Sequence, residues 1–419
     1  MRSALVGSKR VERGIRRVDL AYAQLASSGI ARDMNRDVVL ELIRSRQPIS
    51  RADLARLSGL QRSTVSLIVE ELLEEGWIRE GAVAHRPRGR RPTLLGLNDD
   101  LVMIVCDIRP VQAIVAVVDL NGRFLSRESL PIVSDPAKTI ALIVGRMKKM
   151  QEKHAQKTFE GVGVSLPGRF DPESQRMIFA PNLGWPLYDI KKALEKGTGL
   201  KVELGNAAGA CLLSEMWFGR MDGVRDAVLV TISEGIGAGI LTNGQLVTGM
   251  HGLAGEFGHI PLDPAGPKCA CGGTGCWETL ASSSAALRYY AENKCDAQPI
   301  TMQDLIKLAE EGDSCACKAL DKQAHQIGRG MRTILAALSP EVILVTGDIT
   351  SAWPRFGPII EEEIRSQILA GSPPRLMPVD ESEVARLRGA AALVLQSHTG
   401  QPRSRGAKTR SSDIEVSHE

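Results

Sequence analysis

Phe, Trp and Tyr make up only 4% of the 419 residues. Ordinary apolar content with so few rings fits a globular α/β protein built on aliphatic packing. No apolar run approaches the roughly 20 residues needed to cross a bilayer, so a membrane-spanning helix is not expected. No hydrophobic segment follows the basic residues of the N-terminus, so no secretory signal is expected either. These absences point to the cytoplasm, where the eight cysteines are expected as thiols or metal ligands rather than disulfides. The length exceeds what one hydrophobic core usually serves, and two or three domains are expected.

A large net charge is also lacking: the balance is +3. It is unevenly spread. Residues 1–97 hold 18 Lys/Arg against 11 Asp/Glu, whereas the rest holds 34 against 38. A basic N-terminal quarter on an acidic body suggests a polyanion-binding module joined to something else.

That quarter begins with a basic stretch carrying Lys9, Arg10, Arg13, Arg16 and Arg17 without sustained periodicity, so residues 1–34 are expected to form a flexible arm. From Asn35, Val39, Leu42 and Ile43 share a helical face that Pro48 ends. Ser50 and Asp53 make a capping box for a second helix, and Gly59 supplies the turn. Val65, Ile68, Val69, Leu72 and Leu73 then mark a third helix, whose start exposes Gln61, Arg62, Ser63, Thr64 and Ser66. The three helices alone fit a DNA-reading unit and a protein-contact bundle equally. The next segment tips the balance, because a strand begins at Trp77 and Arg86, Arg88, Arg90 and Arg91 lie on a proline-broken strip. Such a strip suits a wing against phosphates or a narrow minor groove. Residues 35–97 therefore read as a winged helix-turn-helix domain.

The body alternates buried strands with helices. Asn121-Gly122 and Asn243-Gly244 each mark a hairpin, and each hairpin is followed by crossover helices, so two similar α/β lobes are expected. From residue 397 the chain is polar, basic and patternless, as disordered tails are.

The richest stretch is Gly255–Glu278, which gathers His259, Cys269, Cys271, Cys276, Glu256 and Glu278 among glycines and prolines. Three thiolates and an imidazole complete a tetrahedral zinc shell with no open position, which makes the zinc structural. The bland alternative is a set of unrelated free thiols. Cys315 and Cys317, on a helix where their side chains diverge, read as packing. Cys106 and Cys211 read as core residues, and His154 and His325 as helix-surface residues.

Gly255-Glu-Phe-Gly-His259 and Cys269-Ala-Cys-Gly-Gly-Thr-Gly-Cys-Trp-Glu278 match the ExGH and CxCGxxGCxE signatures of the ROK family (repressors, open reading frames and kinases). The chain resembles that family from about Asn35 to Gln396. The resemblance implies an actin-like (RNase H-like) two-lobed sugar-kinase fold preceded by a winged helix-turn-helix. The first lobe would be 98–210 plus 384–396, and the second, with the zinc loop, 211–383. His259, Cys269, Cys271 and Cys276 take the family's zinc positions, and the spacing favours His259 over His251 as the ligand. Gly168, Asn182, Asn206, Glu256, His259 and Glu278 take its sugar-binding positions.

The chain also departs from the family's kinases. Their glycine-rich phosphate turn is Asp107-Ile-Arg-Pro-Val-Gln112 here, with Arg109 and Pro110 in place of glycines. The second phosphate turn carries Glu234, and the late adenosine-side turn is Thr346-Gly347-Asp348. Ala207 stands where the kinases place the aspartate that acts as general base, whose loss costs about 10²–10⁴ in rate. No catalytic residue is therefore assigned. The reading is a bacterial transcriptional regulator of the repressor type, nucleoid-associated when bound to its operator. It would bind double-stranded DNA as a homodimer or tetramer and sense a sugar or sugar derivative through a degenerate kinase body. The alternative is an ATP-dependent sugar kinase with an accessory DNA-binding domain.

Overall fold

The computed structural model describes residues 28–83, 92–171, 177–180, 183–186, 188–219, 221, 223–293, 300–366, 372–379 and 382–398. Helix α1 (Ser28–Arg46) starts inside the segment expected as an arm, so the folded unit begins before Asn35. Met34 and Val38 of its first turns are exposed. Ion pairs of Arg32 with Glu71, and of Arg36 with Glu75 at 2.5 Å, hold these turns. After β1 (Ile49–Ser50), the Ser50 Oγ accepts from the Asp53 N–H at 3.2 Å and caps α2 (Arg51–Ser58). Gly59, at φ 72°, ends α2 in a left-handed turn and leads to α3 (Arg62–Glu74). Strands β2 (Ile78–Val83) and β3 (Thr93–Leu97) are antiparallel and give the sheet order β1-β3-β2. Val39, Ile43, Leu54, Val65, Val69, Leu72 and Leu95 are fully buried beneath this winged helix-turn-helix.

The first lobe opens with the antiparallel meander β4 (Leu101–Ile108), β5 (Gln112–Asp119) and β6 (Phe124–Pro131). Helix α4 (Pro136–Lys153) crosses to β7 (Thr158–Leu166), parallel to β4. His154, expected on the helix surface, is instead buried at the α4 C-cap, with Nε2 3.1 Å from Ser126 Oγ. A small ribbon of β8 (Arg169–Phe170) and β9 (Met177–Phe179) precedes α5 (Ile190–Thr198) and β10 (Val202–Asn206), the latter parallel to β7. The sheet order is β10-β7-β4-β5-β6.

Helix α6 (Ala207–Phe218) then leads to a second lobe built on the same plan. Its meander is β11 (Ala227–Ile232), β12 (Ile236–Thr242) and β13 (Gln245–Val247). Helices α7 (Trp277–Ala281), α8 (Ser283–Asn293), α9 (Met302–Glu310) and α10 (Ser314–Leu338) cross to β14 (Val342–Gly347), parallel to β11. Helix α11 (Trp353–Arg365) reaches β15 (Arg375–Pro378), giving β13-β12-β11-β14-β15. In both lobes the first strand of a three-strand meander is extended on its other side by two parallel strands, which is the actin-like arrangement.

The last helix, α12 (Ser382–His398), returns to the first lobe and runs past the expected end at 396. His398 Nε2 lies 2.9 Å from Glu160 Oε1, and its ring meets Trp77 edge-on at 5.2 Å, which fixes the final turn. The expected lobe boundary at 210 falls within α6. That helix is gripped from both sides, since a Cβ on Gly389 of α12 would lie 2.1 Å from the Ala210 carbonyl oxygen and one on Gly239 of β12 would lie 2.8 Å from that of Ala208. The core beneath the winged unit is continuous with the first lobe through Leu101, Met103, Leu387 and Ala390.

Candidate functional site

The donor atoms of His259, Cys269, Cys271 and Cys276 lie within 4.8 Å of one another, so these four residues can hold one metal ion. Cys271 and Cys276 Sγ are 3.6 Å apart, and Cys269 Sγ is 3.5 Å from His259 Nδ1. The loop closes because Cys269 N–H donates to Gly273 O at 2.9 Å and Gly275 N–H to Pro267 O at 2.8 Å. Glycine is required at 275: with φ 63°, a Cβ there would lie 1.6 Å from the Asp263 carbonyl oxygen. Burial raises the Cys276 thiol to about 12 and also raises Cys269, whereas the Gly273 N–H holds Cys271 down. A metal bound here would displace thiol protons.

The same cluster orients the expected ligand residues. With Nδ1 of His259 toward Cys269, its Nε2 lies 3.7 Å from Glu256 Oε2. Burial raises the Glu256 carboxyl, and the neighbouring charges of His259 and then Arg169 oppose the rise. Glu278 Oε2 accepts from the Ile236 N–H at 3.0 Å, while Oε1 is 3.9 Å from Cys269 Sγ. One carboxylate thus ties the loop to β12. Asn206 ends β10 and caps α6, its Oδ1 accepting from the Gly209 N–H at 2.7 Å. With Oδ1 committed, the side-chain NH₂ is the group left to donate to a ligand oxygen. Gly168, at φ 119°, turns β7 into β8. There the lobes nearly touch: a Cβ on Gly252 would lie 2.3 Å from Phe170 O. Asn182 lies outside the described residues.

At the ends of β4 and β14 the chemistry differs. Asp107 is fully buried, and Arg109 Nε donates to its Oδ2 at 2.6 Å. Arg386 of α12 approaches Oδ1 at 3.9 Å, an oxygen with no hydrogen-bond partner among the described residues. No local spacing announced Arg386, which comes from the far end of the chain. On the second lobe, burial and then Glu234 raise the Asp348 carboxyl; Gln303 Nε2 donates to it at 3.0 Å. Ala207 is the first residue of α6 and is buried.

In the winged unit, Gln61, Arg62 and Ser63 are exposed at the start of α3, and Thr64 and Ser66 are half-buried beside them. Arg86, Arg88, Arg90 and Arg91 lie outside the described residues. Cys315 and Cys317 Sγ meet the carbonyls of Asn293 at 3.7 Å and Ala309 at 3.5 Å, the packing role expected of them.

Comparison with known proteins extends this picture. The ROK family model matches residues 106–397, and the MarR family model matches residues 34–80. The chain is 29% identical over 378 residues to the xylose repressor of Bacillus spizizenii, covering 89% of this chain and 97% of that one. It is 28% identical over 393 residues to the Escherichia coli DNA-binding transcriptional dual regulator NagC, covering 89% and 94%. Among solved structures, a ROK family transcriptional regulator homologous to the E. coli MLC protein superposes with a TM-score of 0.73 at 26% identity, over 88% of this chain and 99% of that one. A ROK family glucokinase from Streptomyces griseus, in complex with glucose and AMPPNP, superposes with a TM-score of 0.64 at 28% identity, over 70% and 99%.

Proposed function

The chain belongs to the ROK family, and from that premise we propose that it is a sugar-responsive bacterial transcriptional repressor whose kinase-like body senses rather than phosphorylates. One observation carries the reading. Glu256, His259 and Glu278 are held together on one loop, whereas Ala207 offers no base beside Asn206 and Arg109, where the family's kinases have a glycine, pairs with Asp107. Relatives named as a xylose repressor and as a DNA-binding transcriptional dual regulator, matched over nearly their whole length, support it.

The metal in this reading is zinc. A tetrahedron with Zn–S bonds of about 2.3 Å has S···S edges of about 3.8 Å, close to the 3.6 Å between Cys271 and Cys276. Zinc would be held by His259, Cys269, Cys271 and Cys276 with no open position, fixing the loop that presents Glu256 and Glu278. Gly168, Asn182, Asn206, Glu256, His259 and Glu278 would surround the sugar. Gln61, Arg62, Ser63, Thr64 and Ser66 would read the major groove, and Arg86, Arg88, Arg90 and Arg91 would contact phosphates or the minor groove. A homodimer in the cytoplasm would place two such helices on two half-sites.

The test uses full-length protein from zinc-supplemented growth and a labelled duplex obtained by in vitro selection. D-xylose, N-acetylglucosamine and D-glucose are added in turn. At least one is expected to change the DNA affinity, with no sugar-dependent ATP turnover. Unchanged affinity with all three would overturn the assignment of the sugar class. The kinase alternative has its own signature: sugar-dependent ATP turnover that Ala207→Asp fails to increase.

A further inference from the structure

Two helices run side by side from the cleft to the winged unit, and each is held at both ends. Helix α6 starts at Asn206, whose side chain caps it, and ends at Trp217 and Phe218. There Arg44, in the last turn of α1, donates from Nη1 to the Trp217 carbonyl and sets its guanidinium 5.9 Å over the Trp217 ring. A cation over the C-terminal carbonyls of α6 also complements the helix dipole. Beside this clasp, Gln47 Nε2 donates to Asn121 Oδ1 at 2.6 Å while its Oε1 accepts from the Leu97 N–H at 2.8 Å. Helix α12 repeats the arrangement, with Arg386 facing Asp107 in the cleft and His398 against Trp77 of the winged unit.

The two ends of α6 differ in tightness. At the cleft, the backbones of Gly239 and Gly389 press on the carbonyls of Ala208 and Ala210 with no side chain between. Packed backbone of this kind cannot absorb a displacement, so a shift of the second lobe against the first loads α6 between Gly239 and Gly389. At the other end Phe218 lies tight on Gly122, where an added Cβ would meet its ring at 2.8 Å, but the side toward the winged unit is looser. A small apolar cavity opens between Arg36, Leu40, Trp77, Leu120, Trp217 and Leu395. A helix of this length is a rod of about 18 Å. A shift imposed at its tight end therefore emerges at its loose end.

We propose that Arg44 is the positioning residue that couples the cleft to DNA reading: ligand drawn onto Asn206 moves α6, and the Arg44–Trp217 clasp carries that movement into α1. The proposal rests on the reading of the cleft as a sugar site. It assigns the coupling to one side-chain contact rather than to the core shared by the winged unit and the first lobe.

The experiment measures coupling, not affinity alone. DNA Kd of the full-length protein is measured by anisotropy on the selected duplex, with and without D-xylose or N-acetylglucosamine, and sugar Kd by calorimetry. The ratio of the two DNA Kd values is the coupling factor, which in allosteric proteins is about 5–150. For Arg44→Ala the factor is expected to fall at least about fivefold toward unity while sugar Kd stays within about twofold. Arg44→Lys, which keeps a donor and a charge, should recover part of it, and carries the test if Arg44→Ala folds poorly by circular dichroism. A folded Arg44→Ala protein with the wild-type factor overturns the proposal and leaves the sugar reading intact. A wild-type factor of one with both sugars, despite calorimetric binding, overturns the coupling role itself. A wild type that binds neither sugar removes the sugar reading and the proposal with it.

Discussion

The two lobes share one strand order and carry opposite chemistry at the strand ends that face each other. In the first, the turn after β4 is filled from within: Asp107 is sealed beneath Arg109 and approached by Arg386. In the second, the loop after β13 is drawn together by four potential metal ligands and presents Glu256 and Glu278. The fold allows such divergence because turns and loops beyond the strands lie outside the sheet's hydrogen-bond ladder. Identical scaffolds thus say little about activity, and the loops decide it.

Five substitutions probe this contrast. The largest effect is expected at the second-lobe loop. Cys276→Ala should abolish stoichiometric metal and lower stability by about 3 kcal/mol or more, which for a body of this size is about 6–12 °C in Tm. Metal analysis with a thermal melt checks this, and retained metal would show that the cluster is not the site. Next come matched glycines. A Cβ on Gly163 would lie 1.8 Å from the Ala390 carbonyl oxygen, against 2.8 Å between Gly239 and Ala208. Gly163→Ala should therefore destabilise by about 3 kcal/mol and Gly239→Ala by about 1–2 kcal/mol in urea melts. The reverse order would mean that the first-lobe sheet yields more readily than the shared helix pair.

Arg109→Ala should rank third, at about 2 kcal/mol, because it leaves the buried Asp107 with the distant Arg386 as its remaining ion-pair partner among the described residues. A sugar Kd unchanged in that variant would place the ligand away from the turn after β4. The smallest effect concerns His154, whose pKa is lowered chiefly by burial and further by Lys153 and Lys157. The unfolded chain binds that proton more readily, so the contribution is complete above the ordinary value of about 6.5 and is lost as pH falls through the lower folded value. His154→Gln should flatten the decline in Tm between about pH 6.5 and 5; an unchanged decline would place the acid sensitivity elsewhere.

Much of this was legible in the residues. Valine and isoleucine runs announced β4, β7, β11 and β14, and the two Asn-Gly turns announced the paired meanders, because period and turn chemistry act locally. The metal cluster was legible for the same reason, its ligands being separated by glycines that fold a short loop. Helix α1 was legible only from Asn35, since Met34 and Val38 are exposed and ion pairs to α3 hold its first turns. His154 was misplaced because a histidine at a helix end reads as exposed until β6 brings Ser126 to it.

The sequence by itself determined the layered composition, the paired lobes, the His/Cys cluster and the alanine at position 207. Those are matters of residue type at short spacings, and local chemistry suffices for them. Only the tertiary structure decided that Arg386 would approach Asp107, that one helix would be shared by both lobes, and that Arg44 would grip its far end. Such contacts join residues far apart in the chain, and no spacing encodes them. They exist because packing two sheets about one helix pair brings those side chains within reach of each other.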